Sequence, residues 1–317
     1  MKALVFKNNE ISLNEVPIPE IKEDEALIKI LKAGICNTDI EILKGYMNFE
    51  GILGHEFVGI VVEAKNKKWI GKRVVGEINI GCGKCEYCLT GRKNHCPSRK
   101  VVGILNKDGA FAEYITLPIS NLYIVPDKIS DEKAVFTEPL AAALRITEQI
   151  EIRKNDKVLI IGDGKIGLLI SQVMKLMNCE TYCMGKHKRK LKILENKNIK
   201  TLLKGKNIDH RFDIVIEAAG KRGGIKQALK YVKPEGKVIL KSTYHGRVVL
   251  DISSIVVNEI NVTGSRCGPF NKALELLERN LVEVESLIDG EYSLCEWEKA
   301  FEQALKSEKL KILFRIN

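Results

Sequence analysis

Along residues 1–130 apolar positions come in short runs, ALVFK, ALIKIL, FVGIVVEA and KRVVGEI. Each is β-branched or alternating and is bounded by Gly, Pro or Asn, the pattern of half-buried strands. Their spacing predicts a compact β-rich domain, and a barrel is one arrangement that closes the edges of such strands. Near residue 131 the texture changes. DEKAVFTEPLAAALRITEQI is helical in composition, with Pro139 placed to kink it. KVLIIGDG then predicts a buried strand, and KIGLLISQVMKLM a helix with a broad apolar face. ETYCMG, FDIVIEAAG and GKVILKST follow as strands separated by helical stretches. Strand alternating with helix predicts a parallel, doubly wound sheet, so the fold class is α/β. VVLDISSIVVNEINVTG reads as strand-rich and suits either pairing across a two-fold at a sheet edge or an internal strand. PFNKALELLERN and LCEWEKAFEQALKS form a helical tail before a last strand, LKILFRI.

The chain has 317 residues, 45% hydrophobic and 29% charged, a globular composition long enough for two domains of about 100–200 residues. MKALVFKNNEISL lacks the apolar stretch of a secretory signal, and no apolar run nears the ~18 residues of a membrane span. A cytoplasmic protein with no membrane partner is expected. The nine cysteines are odd in number, which argues against a disulfide framework in such a chain. Charge is equally uneven. Of the net +10, a net +8 falls between Lys186 and Arg211, where ten Lys and Arg face two acidic residues. A charge this local suits one anionic ligand.

Gly162, Gly164 and Gly167, with Lys165 and Ile166, form a G-x-G-x-x-G between an apolar strand and an apolar helix, the context of a dinucleotide-binding loop. Gly162 permits the tight turn, Gly164 lets a pyrophosphate approach the backbone, and Gly167 lets helix pack on strand. The helix N-terminus offers free N–H groups to phosphate. About 20 residues on, an NAD site carries an acid that reads the ribose 2′-hydroxyl. Here Gly185, Lys186, His187, Lys188 and Arg189 stand instead, small then basic, as a 2′-phosphate requires. NADP(H) is therefore expected to be preferred over NAD(H). A solvated helix start is the plainer alternative for these lysines.

Cys82, Cys85, Cys88 and Cys96 lie within fifteen residues. Four thiolates at short loop spacing suit a closed, structural tetrahedral zinc site. The seven-residue gap before Cys96 departs from the spacing of a bacterial iron–sulfur run. Cys36 and the pair His55-Glu56 have the ligand types of an open catalytic zinc that needs one more donor.

GICNTD, GHEFVG, GCGKCEYCLTGRKNHC, DGAFAEY, TEPLAAAL, GDGKIG, DIVIEAAG and GSRCGPF, in that order, resemble the landmarks of zinc-dependent medium-chain alcohol dehydrogenases almost end to end. The resemblance implies a GroES-like β-barrel catalytic domain over 1–139 with its structural zinc loop. A Rossmann dinucleotide-binding domain would cover 140–265, and 266–317 would return to the catalytic domain. It implies two zinc ions per chain, with Cys36 and His55 on the catalytic one. Thr38 would contact the substrate oxygen and take the hydroxyl proton outward, towards Glu41, and Asp39 would brace the imidazole. Glu138 of TEPLAAAL stands where simple alcohol dehydrogenases carry a third cysteine and polyol, sugar and threonine dehydrogenases carry Glu. Glu56 and Glu138 compete for the third ligand position, with Glu138 ahead because it replaces a known ligand. Ala218, Ala219, Gly220 and Arg266 would line the cofactor. The chain is shorter than is typical of the family, its segment between Cys36 and His55 is short, and Glu41 occupies a relay position often held by His.

The activity implied is reversible hydride transfer between a small-molecule alcohol (a secondary alcohol, polyol, sugar or hydroxy-amino acid) and its carbonyl, by a homo-oligomer, dimer or tetramer, with no nucleic-acid partner. The rival reading is a catalytically inactive nucleotide-sensing or nucleic-acid-binding zinc protein, which a basic chain with a four-cysteine loop also permits.

Overall fold

A computed structural model describes residues 1–205, 208, 211–243 and 247–316; part of the basic run, Lys206, Asn207, Asp209 and His210, lies outside them. The chain divides into two compact units, Met1–Glu138 with Phe270–Asn317, and Pro139–Pro269.

The first unit is built on a seven-stranded sheet. Its central strand, Glu25–Gly34, pairs antiparallel with Glu56–Ala64, with Tyr114–Pro118 and with Lys311–Arg315. The expected final strand is thus sewn into the sheet that begins near residue 25, with Leu313 opposite Gly34. Two consecutive helical segments follow the barrel strands, Asp131–Ala134 and Thr137–Gln149. The break falls at Val135 and Phe136, not at Pro139 as the sequence suggested. Pro139 sits in the first helical turn, where a missing N–H costs nothing because no carbonyl precedes it to accept. The apolar side of this unit is filled by Phe111, Phe136, Phe314 and Ile35, all fully buried, with Phe111 edge-on to Phe314.

The second unit is a six-stranded, wholly parallel sheet. Numbered by appearance, its strands run in the order 3-2-1-4-5-6 from Lys200–Leu203 through Lys157–Ile161 to Asn261–Gly264. That order places the first crossover at the switch point where dinucleotides bind in such sheets. Val158, Leu159, Ile160, Ile214, Val215 and Ile216 are buried on both faces, which explains their continuous apolar runs. The segment read as strand-rich differs. Ile252–Val257 is a helix, because Asp251 caps it by accepting from the Ser253 amide, and the cap overrides β-branched propensity. Only Asn261–Gly264 is strand, and it is the sheet edge.

Candidate active site

Strand register assembles the inner site. Gly34 stands opposite Glu56, so the residues just beyond each strand end, Cys36 and His55, meet. Cys36 Sγ, a His55 ring nitrogen and a Glu56 carboxylate oxygen lie within 4.8 Å of one another. His55 and Glu56 are buried, as is Asp39 behind them. Cys36 caps the helix Asn37–Ile42, and Asp39 reaches back so that its Oδ2 accepts from the Cys36 amide at 2.7 Å. The other oxygen, Oδ1, faces His55 Nδ1 at 3.3 Å. That contact falls short of hydrogen-bond geometry, so both atoms are buried without a formal partner. With Nδ1 held against a carboxylate, Nε2 is the nitrogen left for a metal. Burial pulls the imidazole's pKa down, but the Asp39 and Cys36 charges outweigh it and raise it well above the usual value. One thiol, one imidazole and one carboxylate around a buried point fit a zinc ion with a position open to substrate.

Thr38 lies beside this set, its Oγ1 3.7 Å from Cys36 Sγ. Glu41, one helical turn on, is ion-paired with Lys44 at 2.8 Å. Glu138 is half-buried in the first turn of Thr137–Gln149 and is not one of the three converging donors. A cation that the sequence reading passed over stands in the group. Lys311, fully buried, pairs with Glu56 Oε2 and sits over the Phe136 ring. A lone lysine in the apolar strand LKILFRI was the available signal.

The sulfurs of Cys82, Cys85, Cys88 and Cys96 form a second group within 4.8 Å. None of the nine cysteines is in a disulfide. The Lys84 and Cys85 amides hold the Cys82 thiol down to about 6. Cys85 also feels a backbone donor, from Cys88, but burial and neighbouring sulfurs push it up to about 11. Thiolates so close cannot all ionise without a cation among them, which is the electrostatic case for a metal.

In the second unit, Gly162 has φ 128°, and a Cβ there would meet the Ala218 carbonyl oxygen at 2.4 Å. A Cβ on Gly167 would fall 2.0 Å from Gly162 O, whereas Gly164, capping Lys165–Leu176, has open space above it. Two glycines are thus needed for packing and the third leaves a cradle, which fits a bound dinucleotide phosphate. The Ala219 amide donates to Glu217 Oε1 and the Gly220 amide to Ser242 Oγ, each at 2.8 Å. Burial pushes the Glu217 carboxyl up. Lys186, Lys188, Arg189 and Arg266 are exposed, His187 is half-buried, and Lys190 is buried. An acid does reach the end of Glu180–Gly185, but from within the glycine loop. Asp163 Oδ2 accepts from the Lys186 amide (2.7 Å), the His187 amide (2.7 Å) and His187 Nδ1 (3.0 Å). A Cβ on Gly185 would strike Asp163 at 2.4 Å.

Residues 22–127 match the alcohol dehydrogenase GroES-like domain, and 166–279 match the zinc-binding dehydrogenase family. The chain belongs to the zinc-dependent medium-chain alcohol dehydrogenases. It is 30% identical to sorbitol dehydrogenase of Halalkalibacterium halodurans over 99% of this chain and 98% of the relative. It is 28% identical to D-arabitol-phosphate dehydrogenase of Enterococcus avium over 98% and 95%. A zinc-binding dehydrogenase of Sinorhizobium meliloti 1021, in a crystal structure with NADP, superposes with a TM-score of 0.89 at 30% identity, covering 99% of this chain and 98% of that one. A short chain alcohol dehydrogenase from Escherichia coli CFT073, complexed with NADH, gives 0.91 at 25% identity over 99% of each. Within the family the chain falls in the polyol branch, as an alcohol oxidoreductase using zinc and a nicotinamide cofactor. No helix among the described residues is long and apolar enough to cross a membrane.

Proposed function

We propose that this chain interconverts a secondary alcohol, in a polyol, sugar or hydroxy-amino acid, and its carbonyl, preferring NADP(H) and using two zinc ions per chain. The observation that carries the reading is the buried convergence of Cys36, His55 and Glu56 with Asp39 behind two of them. These three would hold the inner zinc, with Glu138 as the further carboxylate of the same unit. Bound there, zinc supplies Lewis acidity that eases deprotonation of a substrate hydroxyl. Asp39 keeps the imidazole oriented and Cys36 in place. Thr38 accepts the hydroxyl proton and hands it towards Glu41, which is ion-paired with Lys44. Cys82, Cys85, Cys88 and Cys96 would hold the second, structural zinc.

The first unit is then the catalytic domain and the second the dinucleotide domain, with Gly162, Gly164, Lys165, Ile166 and Gly167 on the pyrophosphate. Ala218, Ala219, Gly220 and Arg266 would face the rest of the cofactor. Support for NADP(H) comes from the exposed Lys186, Lys188 and Arg189 beside Gly185. Hydrogen bonds to a charged group contribute about 1.5–3 kcal/mol each, so one or two give roughly tenfold discrimination or more. A homo-dimer through the second unit is supported by the open edge strand Asn261–Gly264 and the exposed Val249, Ile252, Val256, Val257 and Val262 near it in the chain. A cytoplasmic setting suits nine cysteines outside any disulfide.

The test is the absorbance of reduced nicotinamide with a panel of polyols, sugar alcohols and L-threonine, each with NADP and NAD. Turnover with a panel member, faster in kcat/KM with NADP, is expected. Zinc-loaded protein inactive on every alcohol and carbonyl offered would overturn the reading.

A further inference from the structure

A buried carboxylate beside a proposed phosphate site is an apparent contradiction. Asp163 is 8% exposed and lies at the end of Glu180–Gly185, where a 2′-phosphate would be read. A free carboxylate there would repel that phosphate. This one is not free. Three donors converge on its Oδ2: two consecutive amides and a ring nitrogen. Although burial opposes ionisation, the His187 and Lys186 amides and the His187 ring outweigh it and hold the carboxyl below its usual range. Its charge is turned into the loop.

Two consequences follow from that geometry. The amide bonds fix residues 185–187 in the turn that starts the helix Lys188–Glu195. The ring bond commits His187 Nδ1 as a donor to Asp163, so Nε2 lies across the ring on the far side from the carboxylate. Gly185 is required by the same arrangement, since any side chain there would occupy the space of the Asp163 carboxyl. Lys186 and Lys188, which flank His187, have no ion-pair partner among the described residues.

We propose that Asp163 is a positioning residue for the adenosine end of the cofactor: through the 185–187 turn and His187 Nδ1 it holds the His187 ring and the flanking Lys186 and Lys188 in place to receive a 2′-phosphate. The proposal rests on the NADP(H) reading above. The acid that an NAD site uses on the ribose is here moved into the glycine loop and faces the protein.

Calorimetric titration of the full chain with 2′,5′-ADP and with 5′-AMP, which lacks only the 2′-phosphate, tests this without turnover. The wild type is expected to bind 2′,5′-ADP at least about tenfold more tightly, which by itself tests the NADP(H) reading. Asp163→Asn and His187→Gln should each lose about five- to tenfold on 2′,5′-ADP and less than about twofold on 5′-AMP, and the double variant should lose no more than the worse single. Tighter binding of 2′,5′-ADP by Asp163→Asn overturns the proposal, because the carboxylate then repels the phosphate. Equal losses on both ligands overturn it too, since Asp163 then only supports the fold. If Asp163→Asn does not fold, His187→Gln decides: an unchanged 2′,5′-ADP affinity overturns the proposal, and a selective loss supports it. A wild type indifferent to the 2′-phosphate refutes the NADP(H) reading and this proposal together, whereas a preference that survives both substitutions refutes only the proposal.

Discussion

Lys311 and Glu56 form an ion pair that neither side chain shares with water, between residues 255 apart in the chain. Gly34 lies between their strands. A Cβ at that position would come within 3.0 Å of Glu56 Oε2 and 3.3 Å of Lys311 Cδ, so the glycine leaves the room that the pair fills. Glu56 is also one of the three converging donors. The lysine therefore balances a carboxylate of the metal set before any metal arrives.

Removing that cation leaves a buried negative charge without a partner. Lys311→Met is expected to lower stability by about 3–5 kcal/mol, and Lys311→Met with Glu56→Gln to recover much of it. Denaturant unfolding of the two variants checks this. A single variant as stable as the wild type would show that water, not Lys311, compensates Glu56.

Zinc binding at the inner site should strengthen as pH rises. The folded His55 pKa is raised above 6.5, so in metal-free protein the stability its proton lends is full below that value and disappears as pH passes the folded value. Zinc requires the neutral ring and displaces that proton over the same window. Asp39→Asn removes one cause of the shift and should move the window to lower pH. Competition titrations with a chelator at several pH values read both, and an affinity independent of pH contradicts the assignment. His55→Ala should abolish turnover while the melting curve stays cooperative.

Metal analysis should return two zinc ions per chain, falling to one in Cys88→Ser with a lower melting temperature. Zinc in this loop competes with protons for its thiolates, so acidification should release it, read by a chromogenic chelator. Iron–sulfur absorbance in the native protein would contradict the assignment.

Gly185 cannot simply be exchanged for the acid of an NAD site. A Cβ there strikes the Asp163 carboxyl, so Gly185→Asp alone should destabilise the second unit. Paired with Asp163→Gly, the same substitution should fold and shift the kcat/KM ratio towards NAD(H). A well-folded single variant with unchanged cofactor binding would show that the loop 162–167 yields.

Val256→Asp with Val257→Asp should convert a dimer to a monomer in light scattering, because both side chains are exposed on the short helix that precedes the edge strand. An unchanged mass places any interface elsewhere.

What could be read from the sequence was what local spacing encodes. The glycine loop is legible because, within six residues, two glycines meet steric demands and the third leaves open space. Four cysteines in one loop are legible for the same reason. Pro139 misled because a proline in a first turn and one at a kink look alike without the preceding carbonyls. ISSIVV misled because the cap supplied by the adjacent Asp251 outweighs β-branching. Lys311 and Asp163 were missed because their meaning lies in register: one faces Glu56 across Gly34, the other faces residues more than twenty positions on. Nothing local marks either contact.

The chain's order also sets a schedule for its own synthesis. Glu56 is made early, and its counter-charge emerges 255 residues later, after the whole of Pro139–Pro269. At about 5–20 residues per second the wait is roughly 13–50 s. A bare carboxylate is not buried for that long, so the first unit must remain unsealed on the ribosome while the inserted unit, whose strands are all local to it, folds ahead. The metal pocket is among the last things the nascent chain closes.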